Sequence, residues 1–65
     1  MERAKFDFEL PPQLEAAIDA LEEGINNKVS YIDCLQDEIH ANARYLDDDE
    51  KERQVIRYYC GRRWL

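Results

Sequence analysis

Arg3-Ala4-Lys5-Phe6-Asp7-Phe8-Glu9-Leu10-Pro11-Pro12-Gln13-Leu14 contains the change of period on which the fold turns. Up to Leu10 the alternation is strict, with Ala4, Phe6, Phe8 and Leu10 on one side and Arg3, Lys5, Asp7 and Glu9 on the other. That is the pattern of a half-buried strand, and it predicts that Phe6 and Phe8 face a core while Lys5 and Asp7 face water. Pro11-Pro12 ends the pattern, because proline cannot donate to a ladder and suits the first turn of a helix. From Gln13 the spacing becomes three and four: Leu14, Ala17, Ile18, Leu21 and Ile25 form the apolar stripe of a helix, which Gly24 is expected to close in the left-handed conformation.

Beyond the Asn26-Asn27 loop, Ser30 and Asp33 have the spacing of a capping box at the start of a second helix. Ile32, Leu35, Ile39, Ala43 and Leu46 repeat at three and four along it. The acid run Asp47-Asp48-Asp49-Glu50 reads as a loop and a third helix's N-terminus, where carboxylates meet the positive end of the helix dipole. Val55, Ile56, Tyr59 and Cys60 are the apolar residues of that helix, and Gly61 ends it. The whole pattern predicts one mostly helical α+β domain over residues 1–65, with a strand at 3–10 and helices at about 12–24, 31–46 and 48–60. A lone strand has an unpaired edge, so it is expected to pair with a second copy in a homodimer or to add to a partner's sheet.

The chain has 65 residues, and a domain of this size hides only about 60% of the surface its unfolded chain exposes. Association with a partner would add to that small core. No long apolar run indicates a membrane span, and the Met-Glu-Arg start lacks the apolar region of a secretory signal. A cytoplasmic location is therefore expected, with Cys34 and Cys60 as free thiols.

Fifteen acidic and nine basic side chains give a net charge of −6, but the charges are unevenly placed. All fifteen carboxylates lie in residues 1–52, opposed only by Arg3, Lys5, Lys28, Arg44 and Lys51, whereas Arg53, Arg57, Arg62 and Arg63 follow with no acid. Such polarity predicts two faces for two different neighbours.

The residues for catalysis or cofactor binding do not come together in the sequence. His40 is the only histidine, Ser30 has no base near it, the two cysteines lack the spacing of a zinc site, and the acid run lacks the glycine and closing glutamate of a calcium loop. Two glycines cannot build a phosphate-cradling loop. No enzymatic activity, metal or cofactor is expected.

The order over residues 3–46 of alternating strand, Leu10-Pro11, short amphipathic helix, glycine turn and longer amphipathic helix resembles the ribbon-helix-helix family. That resemblance implies a dimer whose paired strands enter the DNA major groove, and a role as a repressor or antitoxin. Arg3, Lys5 and Asp7 would then face the bases, with Val29, Ser30 and Tyr31 meeting a phosphate.

A different class of function follows from charge. Glu15, Asp19, Glu22 and Glu23, then Asp33, Asp37 and Glu38, place carboxylates along two helices. Small acidic phage and mobile-element proteins, including some anti-CRISPR proteins, block DNA-binding enzymes with such surfaces. The segment from Arg53 to Leu65 combines four arginines with Tyr58, Tyr59 and Trp64, residue types that dominate binding hot spots. Four arginines neutralise only about four phosphates, a salt slope near about −3.6, too little to outweigh the acidic body on duplex DNA. The favoured expectation is a small acidic regulator or inhibitor, bacterial or phage in type, that grips a protein partner through Arg53, Arg57, Tyr58, Arg62, Arg63 and Trp64.

Overall fold

The computed structural model describes residues 5–61, which form three helices in the order α1 (Pro12–Asn26), α2 (Ile32–Asn42) and α3 (Asp49–Cys60). A single 3₁₀ turn (Ala43–Leu46) extends α2 toward α3. The described residues contain no β-strand, which corrects the expected α+β class to a helical one. Residues 5–10 form an irregular arm with a bend at Asp7 and Phe8, and Arg3 and Ala4 of the expected strand lie outside the described residues. The physical reason is that a strand takes its hydrogen bonds from a neighbour, and the described chain supplies no second strand to pair with.

The alternation nonetheless reports burial correctly. Phe6, Phe8 and Leu10 are half-buried against the core, whereas Lys5, Asp7 and Glu9 are exposed. Side-chain partition needs only two sides to the chain, and the arm keeps two sides without a ladder.

Pro11 and Pro12 start α1 as their fixed φ allows, with the Glu15 amide donating to the Pro11 carbonyl at 2.9 Å. Its stripe Leu14, Ala17, Ile18 and Leu21 is buried, and it forms one core cluster with Ile39 from α2 and Val55, Tyr59 and Cys60 from α3. Leu14, Ile18, Leu21, Ile39 and Val55 have no exposed surface and are the largest fully buried side chains.

Gly24 does not end α1, which continues to Asn26. The left-handed residue is Lys28, at φ 55°, with its amide on the Ile25 carbonyl at 3.1 Å and the Val29 amide on the Gly24 carbonyl at 3.1 Å. That pair of bonds is a Schellman closure. Gly24 serves packing instead: a Cβ there would stand 2.5 Å from Leu35 Cδ1 and 3.1 Å from Val29 Cγ2. The missing side chain lets α2 and its connecting loop approach α1 closely.

The start of α2 also departs from expectation. Tyr31 occupies the capping position with no side-chain capping bond, and exposed Ser30 stands one residue too early to cap it. The acid run behaves as its charge predicts, since the Asp48 carboxylate accepts from the amides of Glu50 at 3.0 Å and Lys51 at 3.1 Å. Gly61, at φ 60°, closes α3. Two bonds then fasten α3 to α2: Gln36 Nε2 donates to the Tyr59 carbonyl at 3.1 Å, and the Cys60 thiol donates to the Gln36 carbonyl at 3.4 Å.

Candidate protein-binding surfaces

The Asp48 cap fixes the start of α3, and the helical period then places Arg53 and Arg57 one turn apart on its exposed side. Together with Asp49, Glu50 and Gln54 they line an open depression of about 360 Å³. Carboxylates in the first turn and Arg57 in the last match the helix dipole, and Lys51, Arg53 and Arg57 balance Asp49, Glu50 and Glu52 in number.

Tyr58 sits on the neighbouring flank of α3, 50% exposed. Its ring stands edge-on to Tyr59 at 4.8 Å and to Phe6 at 6.3 Å, while Phe6 stacks on Phe8 at 5.1 Å. Lys51 Nζ lies 5.3 Å from the centre of the Phe8 ring, within cation–π range. The arm is thus held to α3 by aromatic contacts, and Tyr58 has one edge in that cluster and the other in water. Of the six residues expected to grip a partner, Arg53, Arg57 and Tyr58 share α3, while Arg62, Arg63 and Trp64 lie outside the described residues. Of the positions that would read DNA, Lys5 and Asp7 are exposed on the arm and Arg3 is outside the described residues.

A second surface was not singled out from the sequence. Tyr31 just before α2, Cys34, Glu38 and Ala41 on it, and Tyr45 in the 3₁₀ turn after it are all exposed, with Tyr31 at 55% and Tyr45 at 51%. The spacing of Cys34, Glu38 and Ala41 puts these three on one stripe of α2, on a different side from buried Ile39. The same arithmetic that found the inner stripe would have found the outer one, had tyrosine been scored as a contact residue as well as a core residue.

The carboxylates Glu15, Asp19 and Glu23 of α1 and Asp33, Asp37 and Glu38 of α2 are exposed, and Glu22 is partly so. Residues 12–42 thereby carry seven carboxylates against the single basic residue Lys28. His40 is exposed, Cys34 is exposed, Cys60 is buried, and neither cysteine forms a disulfide. No group of three or more His, Cys, Asp or Glu side chains among the described residues converges as metal ligands. None of the described helices is long and apolar enough to cross a membrane.

Comparison with protein-family models, with curated proteins and with solved structures gives no significant match to any of the three.

Proposed function

We propose that this chain is a small acidic regulator or inhibitor that acts by binding a protein. The observation that carries the reading is the set of three tyrosines, Tyr31, Tyr45 and Tyr58, that stay at least half exposed after the core has closed. Tyrosine brings a large rigid contact area and a polar tip at low entropic cost, so it is enriched at the centres of interfaces. On this molecule each one stands beside charged side chains able to form a polar rim, Arg57 next to Tyr58 and Glu38 between Tyr31 and Tyr45.

Charge supports a protein rather than duplex DNA as the partner. A net charge of −6 repels phosphate, and α3, the most basic described helix, is only neutral in sum. The acidic outer rows of α1 and α2 suit a basic surface on the partner, including one that otherwise handles nucleic acid.

The test is affinity capture from the source cells, identification of the captured protein, and reconstitution of the pair from purified components. The expected result is a one-to-one complex tighter than about 10 μM, near the weaker end of specific association. Failure to find any saturable protein complex, together with saturable binding of duplex DNA at physiological salt, would replace this reading.

A further inference from the structure

The outer stripe of α2 has the form of a helix seat. Tyr31, the residue that precedes α2, and Tyr45, in the 3₁₀ turn that follows it, stand at its two ends. Cys34 and Ala41 lie between them, small enough for another helix to come close, and Glu38 marks the midpoint. Within α2 itself, Cys34, Glu38 and Ala41 follow one another at spacings of four and three and so share one side of the helix. Both tyrosines remain more than half exposed, so the core does not explain their placement.

Resting on the protein-binding reading, we infer that this stripe docks an amphipathic helix of a partner protein whose flanks are rich in lysine and arginine. Charge complementarity selects that occupant. Glu38 lies on the seam, and residues 12–42 carry seven carboxylates against the single lysine Lys28. An acidic or neutral helix would leave Glu38 beside an apolar seam without compensation, whereas a cationic helix meets it with opposite charge. A second copy of this chain fits poorly for the same reason. Antiparallel pairing of two such stripes would bring Glu38 of one copy onto Glu38 of the other at the centre of the contact.

The experiment uses the full 65-residue chain and a defined probe. The probe is a blocked peptide of about 18 residues with leucine at the seam positions and arginine or lysine beside them, compared with a peptide in which glutamate replaces every cation. The expected result is saturable binding of the cationic peptide alone, with amide shift changes concentrated in residues 31–45. Tyr31→Ala/Tyr45→Ala should weaken binding by about 10-fold or more, and Glu38→Lys should weaken it comparably. Gln13→Ala, at an exposed position of α1, should leave it unchanged. Because both tyrosines are exposed, the double variant should keep its helical circular dichroism, which separates lost docking from lost folding.

Shift changes centred on the acidic row of α1, undiminished affinity in the tyrosine variant, or equal binding of both peptides would overturn the inference. Self-association abolished by the tyrosine pair would overturn it too, by making a second copy the occupant. The broader reading stands apart from these outcomes. A captured partner that binds wild type and the tyrosine variant equally, but loses affinity with Arg53→Ala/Arg57→Ala, would retain protein binding and remove the α2 seat.

Discussion

The arm at residues 5–10 and helix α1 show equally regular apolar patterns, yet only α1 becomes regular secondary structure. A helix makes its hydrogen bonds within its own span, so a segment with one apolar stripe can fold against whatever core is near. An extended segment must borrow its hydrogen bonds from another. The arm therefore buries Phe6, Phe8 and Leu10 in alternation while its backbone joins no sheet. A period thus identifies the side of a segment that leaves water, and pairing requires a second strand in addition.

The largest test of this contrast is Leu21→Ala in α1. Leu21 has no exposed surface, so truncation leaves a cavity and should cost about 2–5 kcal/mol. In so small a domain that is enough to unfold much of the population, read as loss of helical circular dichroism at 25 °C. If the signal and the melting midpoint are unchanged, α1 is not the centre of the core.

Gly24→Leu attacks the contact between α1 and α2 from the opposite direction. The new side chain would enter space already occupied by Leu35 and Val29, and overpacking should cost about 1–3 kcal/mol. Denaturant titration of the variant checks this, and unaltered stability would mean that the two helices separate easily.

For the arm, Phe8→Ala should cost less than either, about 1–2 kcal/mol, because Phe8 is only half-buried against the core. Hydrogen exchange sharpens the comparison further. Amides of residues 6–10 should exchange almost unprotected, while those in the middle of α1 should open only with global unfolding. Strong protection of alternate arm amides at high protein concentration would show that the arm finds a strand partner after all.

The smallest effect concerns the end of α1. Lys28 adopts a left-handed conformation that costs a side chain about 1 kcal/mol, so Lys28→Gly should gain up to that amount, less the entropy that glycine adds to the unfolded chain. A rise of a few degrees in Tm is expected. A fall would mean that the lysine side chain does more for the turn than its backbone strain costs.

Composition and spacing alone marked the inner stripe of each helix, the acid run as the start of the third helix and the Gly61 stop, because each depends on neighbours within a few residues along the chain. They also gathered Arg53 and Arg57 into a C-terminal segment free of acids. Other features were decided in three dimensions. Gly24 looked like a helix terminator, and only the approach of Leu35 shows it to be a packing glycine. Ser30 had the right spacing for a cap, but the helix begins one residue later and leaves it outside. Tyr58 was grouped with the arginines by sequence, whereas the packed arm draws one edge of its ring toward Phe6. The strand was the largest such case, since alternation is a property of one segment and a ladder is a property of two. Local periodicity is set by backbone geometry that every segment carries with it, while register, partners and exposure depend on which distant residues arrive alongside.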